Sequence, residues 1–272
     1  MEHRTRMIVL GALGGVVGSL LADLIPDEQL EQHGSILGTT LWCAVVSAPL
    51  ATMLRWGVAL GGGHRVPPVP QLALASAAGL VSGAVGGGAA QALFDLFERG
   101  WFKSFVVRPL CWGLVGCLIG LVIGFAIPNL RRGRSAAMGA TGGFLGGALF
   151  VALAVSSEVP DAVARAGGFG VIGALIALAV VATEAIQLLK GSSLEINYGK
   201  GEVVRRILGT DAVTIGGSSR DSVYVPGYPA KALSVMIVSG TIVASQPERG
   251  RIVLKHGSSI QLGRVLITVI QS

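Results

Sequence analysis

The chain has 272 residues, 51% of them hydrophobic and only 13% charged, with 41 glycines and a formal net charge of +6. Soluble domains usually carry about 25% charged residues, so this composition excludes an ordinary water-soluble core. The basic residues stand at the ends of apolar segments instead of forming a stripe, which excludes a nucleic-acid footprint and points to membrane orientation.

A spanning helix needs about 20 mostly apolar residues, and six stretches qualify: 7–25, 36–60, 72–95, 105–127, 135–155 and 167–189. The first follows Arg4 and Arg6 and has the outline of a signal peptide. It is read as an uncleaved first transmembrane helix, because it belongs to an internal pattern and lacks a small-x-small site. Arg55, His64 and Arg65 follow the second stretch, Arg131, Arg132 and Arg134 the fourth, and Lys190 the sixth. Between these basic turns lie acidic ones: Asp23, Asp27, Glu28 and Glu31, then Asp95 and Glu98, then Glu158 and Asp161. The alternation predicts six spans in a bacterial-type inner membrane with both termini cytoplasmic.

The odd-numbered spans share a glycine pattern. GALGGVVGSLLADL at 11–24, GLVSGAVGGGAAQALFDL at 79–96 and GATGGFLGGALF at 139–150 align on Gly14, Gly86 and Gly142, with Asp23 and Asp95 in register. Spacings of four put Gly11 and Gly15, then Gly79, Gly83 and Gly87, then Gly139, Gly143 and Gly147, on single helix faces where another backbone can approach. Gly116, Gly120 and Gly124 in the fourth span read the same way. In the second members of each pair His33, Arg108 and Arg165 precede Gly38, Gly113 and Gly170 by five residues. Together these predict three copies of a helical hairpin around an approximate threefold axis.

Polar groups at membrane depth are costly and mark candidate sites. Glu184 and Gln187 are three apart near the end of the sixth span, within reach of water or Lys190, and Gln91 is expected to bond to a neighbouring helix. Asp23 and Asp95 end odd helices while Arg108 and Arg165 begin even ones, predicting structural acid–base pairing around one rim, with an ion site as the alternative. Pro49 predicts a kink and Pro109 a helix start. Gly61, Gly62 and Gly63 read as a flexible turn, since no lysine and serine follow to complete a phosphate loop.

After Lys190 the character changes. Residues 190–193 (KGSS) read as a linker, and from Leu194 to the end come short β-branched runs: LEINY, VVRRIL, AVTIG, DSVYV, ALSVMIV, TIVAS, RIVLK, SIQLG and VLITVI. None can span a membrane, and their spacing predicts a small all-β sandwich over 194–272.

The order of these runs carries a resemblance. LEINYGKGEVVRRIL resembles the opening hairpin of a forkhead-associated domain, and VTIGGSSRDSVYVPGYPAKALSVMIVSG resembles that family's central signature. SSIQLGRVLITV, with Gly257, Ile260, Leu262 and Gly263, resembles its final strands. The family binds phosphothreonine through an arginine, a serine and an asparagine, with a supporting histidine. By motif the arginine falls on Gly217, the serine near Tyr228 and the histidine on Lys231, before Ala232, and no Asn-Gly pair lies between Gly240 and Gly257. The resemblance implies a retained interaction fold without its phosphate ligands, whose partner-binding face would hold Gly216, Gly217, Ser218, Arg220, Tyr228 and Lys231. Arg220 and Lys231 are the point charges that could substitute.

No catalytic constellation, cofactor motif or metal site is expected. His3, His33, His64 and His256 lack partner spacing, and Cys43, Cys111 and Cys117 lie in apolar runs as small buried hydrophobes. The function read from the sequence is a non-enzymatic, multi-pass membrane scaffold that presents a degenerate forkhead-associated-like domain to cytoplasmic protein partners. Glycine faces and sandwich edges both suit homo-oligomerisation. The alternative is a channel or small-solute transporter built from three hairpins and regulated by the β-domain, with Glu184, Gln91 and the outer rim as its lining.

Overall fold

The computed structural model of the protein describes residues 3–25, 36–64, 67–97, 100–155, 161–199, 203–247 and 250–271. His33, Asp27, Glu28, Glu31, Arg65, Glu98 and Glu158 lie outside the described residues. The chain divides into two compact units. One comprises Met1–Val58, Val69–Ala126 and Arg131–Ala182; the other comprises Ala59–Pro68, Ile127–Leu130 and Thr183–Ser272.

Among the described residues, six helices are long and apolar enough to cross a membrane. They are α1 (His3–Ala22), α2 (Ile36–Gly61), α3 (Val69–Asp95), α4 (Arg108–Ala126), α5 (Arg132–Val155) and α6 (Asp161–Lys190). The even helices are the more buried: 44%, 50% and 61% of the α2, α4 and α6 spans are covered, against 39%, 33% and 39% for α1, α3 and α5. One aromatic ring from each even helix meets the other two. Trp42 and Trp112 lie 6.4 Å apart, and both stand edge-on to Phe169, at 5.0 and 4.8 Å. The odd helices fill the clefts between even ones, as their glycines record.

Glycine makes this packing possible because a Cβ would strike a neighbouring backbone. A methyl on Gly11 would overlap the Gly173 carbonyl of α6, one on Gly83 the Cys43 carbonyl of α2, and one on Gly139 the Gly116 carbonyl of α4. These three glycines occupy one position in the alignment on Gly14, Gly86 and Gly142. At the next turn Gly15, Gly87 and Gly143 face Phe169, Cys43 and Trp112 of the same neighbours, while Gly79 faces Ser47 and Gly147 the Trp112 side chain. The second glycine face of each odd helix meets its own hairpin partner: Gly14 meets Leu50, Gly86 meets Val115 and Gly142 meets Leu175. From the α4 side, Gly116 and Gly120 lie against Gly139 and Ser135, and Gly124 lies against Ser135 and Arg132. Ser135 Oγ uses the proximity to donate 2.7 Å to the Gly120 carbonyl.

Pro109 is not the helix start expected of it. A π-helical turn, Lys103–Val107, runs directly into α4, and the Arg108 amide donates to the Lys103 carbonyl. The wider register lets the helix continue up to a proline that has no N–H to donate.

In the second unit each of the nine β-branched runs forms a strand, from β1 (Ser193–Asn197) to β9 (Val265–Ile270). One sheet has the order β2-β1-β9-β8, with β2 (Val203–Ile207) and β8 (Ser259–Leu262) at its edges. The other has the order β4-β3-β5-β6-β7, built from β3 (Val213–Gly216), β4 (Val223–Tyr224), β5 (Leu233–Val238), β6 (Thr241–Gln246) and β7 (Gly250–Leu254). The β3–β4 pairing is parallel and the others are antiparallel. Alternation buries one face of each sheet: Leu194, Ile196, Ile215, Leu233, Val235, Ile242 and Ile267 form a core that is essentially closed to solvent.

This unit also takes in two inter-helix turns and the end of α6. In the first turn the Tyr224 amide donates 2.8 Å to the Gly62 carbonyl, and His64 stacks on Tyr224 while its Nε2 lies 3.0 Å from the Asp221 carbonyl. A methyl on Gly62 would sit 2.7 Å from the Ser222 carbonyl, and Gly63 has φ +81°. Gly62 and Gly63 therefore serve close approach and a left-handed turn, not the flexibility read from the sequence. In the second turn Asn129, at φ +62°, donates to the Ile207 and Asp211 carbonyls at 3.2 and 2.9 Å and accepts from the Asp211 amide at 2.9 Å.

Candidate functional site

The strand β3 ends at Gly216, and the loop after it returns against the loop that leads into β5. Gly217 sits under the Tyr228 carbonyl with no room for a side chain, and its amide donates 3.1 Å to Pro229. A Cβ on Gly216 would lie 2.7 Å from both the Asp221 carboxylate and the Lys231 amide. Asp221, 3% exposed, joins the two loops: Oδ2 accepts from the Ser218 amide at 2.9 Å, and both oxygens accept from the Lys231 amide at 3.2 and 3.3 Å. Ser218 Oγ accepts from the Arg220 amide at 3.2 Å, closing the turn. Lys231 adopts φ +50°, a left-handed conformation held by those bonds.

The residues expected at a partner-binding face lie close together: Gly216 ends β3, and Gly217, Ser218, Arg220, Tyr228 and Lys231 are on the two touching loops. The amides of Gly217, Ser218, Arg220 and Lys231 are already engaged. An incoming dianion needs charge-assisted or bidentate donors, but an internal carboxylate and a carbonyl occupy the amides of Ser218, Lys231 and Gly217. The side chains of Arg220 and Lys231 project from an exposed rim instead. Asp221 was missed by sequence reasoning, although an acid four residues after Gly217 in a Gly-Gly-Ser-Ser turn is a natural acceptor for loop amides.

For Glu184, expected to lie within reach of water or Lys190, the structure supplies an arginine from the sheet. The glutamate is buried and lies 3.3 Å from Arg206 of β2, with both side chains under one-tenth exposed. Strand alternation explains the partner: Arg205 points outward to Glu195 at 2.7 Å, directly opposite in the β1–β2 register, so Arg206 points inward. Gln187 is buried one turn further along, and its Oε1 has no hydrogen-bond partner among the described residues.

Gln91 bridges two helices, accepting from Thr39 Oγ1 of α2 at 3.0 Å and donating to Asp95 at 2.8 Å. Arg165 Nε stands 3.3 Å from Asp23 across α6 and α1. Asp95 and Arg108 do not pair: Asp95 is engaged by Gln91, and the Arg108 guanidinium lies 5.6 Å over the Phe94 ring. Arg55 bonds Gln71 of α3. No group of three or more metal-ligating side chains occurs among the described residues.

No protein-family model and no curated protein matches this sequence. A solved structure of Mycobacterium tuberculosis EmbR in complex with a low-affinity phosphopeptide is similar at 12% identity, covering 100% of this chain and 73% of that one. Its TM-score is 0.27, too low for the likeness to carry an argument.

Proposed function

We propose that the protein is a membrane-anchored scaffold, in which a six-helix, glycine-packed bundle anchors a forkhead-associated-like sandwich that recruits or assembles partner proteins at a bacterial inner membrane. The anchor reading is supported by large apolar side chains left exposed along helices that meet the length and hydropathy of spans: Leu13, Leu37, Leu74, Val81, Val85, Phe125 and Leu145 are each 48% to 72% exposed. In water such a surface would aggregate; in lipid it is solvated. Matching neighbours at aligned glycines support three related hairpins.

One observation carries the functional half: Asp221 occupies the amides of the loop face. A surface whose anion donors are internally consumed is suited to a partner that presents side chains and not a phosphothreonine. No enzymatic role is proposed, and the transporter reading gains little, because Trp42, Trp112 and Phe169 fill the space where the even helices meet.

In-cell crosslinking of the full-length chain through Lys231 and Lys255 tests this reading. Reproducible crosslinks to a defined protein are expected, together with equal, negligible binding of phosphorylated and unphosphorylated threonine peptides. Binding that requires the phosphate and falls on Lys231→Ala would replace the reading with phosphothreonine recognition. Solute flux in liposomes that changes on Glu184→Ala would replace it with transport.

A further inference from the structure

A cavity of about 140 Å³ opens between α2, α3 and α4, with Cys43, Phe94, Cys111, Trp112 and Val115 in its apolar wall and Thr39, Gln91 and Arg108 as its polar groups. Gln91 is satisfied internally by Thr39 and Asp95. The Arg108 guanidinium makes no ion pair or hydrogen bond among the described residues; Phe94 is shared between it and Lys103 Nζ, which lies 4.2 Å from the ring centroid. Two cations therefore lie over Phe94, a wall residue of the cavity, and one of them, Arg108, lines the cavity itself.

The hairpin alignment explains why Arg108 is left over. Arg165 and Arg108 occupy corresponding places at the starts of α6 and α4: Gly15 faces Phe169 on one side, and its counterpart Gly143 faces Trp112 on the other, four residues after each arginine. Arg165 meets Asp23 at the end of α1. The counterpart of Asp23 at the end of α5 is Val151, buried at 4% exposure. The acid is missing from this copy, and the arginine turns to the cavity.

The geometry points to an anionic phospholipid as the occupant, with its phosphate on Arg108 and Lys103 and the first part of an acyl chain against Trp112. This rests on the membrane reading above. An apolar cavity of roughly 150 Å³ admits a benzene-sized apolar body, so the space suits a few methylenes and not a whole ligand. Trp101, Phe102 and Phe105, within or just before the π-helical turn that carries Lys103, keep 72%, 45% and 50% of their surface exposed, the aromatic edge expected at a lipid interface. Free phosphate would leave the cavity wall uncovered, and a zwitterionic headgroup would bring its own cation beside two others.

Native mass spectrometry of the full-length chain in mild detergent, with phosphatidylglycerol and phosphatidylcholine of identical chains, tests the site. About tenfold preferential retention of phosphatidylglycerol is expected, the scale of one charge-assisted contact, falling to parity in Arg108→Gln and partly kept in Arg108→Lys. In reconstituted vesicles, phosphatidylglycerol brominated on its acyl chains should quench a tryptophan signal that disappears in Trp112→Phe, and should quench it less in Arg108→Gln. Equal retention of the two lipids by wild type, unchanged retention by Arg108→Gln, or quenching that does not depend on Trp112 would each overturn the assignment. Carbonate extraction separates the two levels. A chain released by carbonate defeats the membrane reading itself, whereas a chain that stays in the membrane without lipid preference defeats only this site.

Discussion

The two units reach close packing by opposite means. In the helical unit the neighbours touch where side chains are absent, at Gly11, Gly83, Gly139 and Gly143; in the β-unit they touch where large aliphatic side chains interdigitate, at Leu194, Ile215, Leu233 and Ile242. A backbone contact has no rotamer through which to relax, while an aliphatic core has several. Enlargement should therefore be the damaging change in the helices, and truncation in the sandwich.

The sharpest break is Gly143→Leu. Its Cβ would overlap the Trp112 carbonyl, so the expected cost exceeds the roughly 1–3 kcal/mol of ordinary overpacking and appears as loss of monodisperse protein in detergent. Unchanged yield and thermal stability would refute the packing assigned to that face. Next comes Arg206→Met, which removes the cation beside the buried Glu184 and should destabilise the second unit by about 3–5 kcal/mol. Adding Glu184→Leu should recover much of that loss, and hydrogen exchange of β1 and β2 amides reads both. Leu233→Ala empties a fully buried position and should cost about 2–5 kcal/mol, loosening sandwich amides while leaving helix amides protected. The smallest effect is expected for Arg165→Gln: the pair with Asp23 is part-exposed, worth at most about 1 kcal/mol, and a larger loss of stability would show that the rim holds more than one pair.

Much of this architecture was legible in the chain. Six apolar runs became six helices and nine β-branched runs became nine strands, because both periods depend on local backbone geometry. The loop face was also legible as a pair of segments, since Gly216 and Gly217 mark a tight turn. Its chemistry was not: that Asp221 consumes the amides depends on the second loop arriving beside the first. Glu184 illustrates the same limit, because its partner Arg206 is 22 residues away, and Lys190 was the nearer guess. Arg108 goes the other way. The rim reading expected an acid–base ring, and the pair is made at Asp23 and Arg165 but not at Asp95 and Arg108.

By itself the sequence determined the apolar runs, the glycine faces and the β-branched runs that become strands, all of which follow from residue type and spacing. Only the tertiary structure decided which backbones the glycines admit, which carboxylate fills the loop face, which arginine neutralises Glu184 and which is left beside a cavity. The physical reason is the same in each case. A hydrogen bond or ion pair needs its atoms within about 3–4 Å, and nothing in local sequence says which distant residue will be carried there.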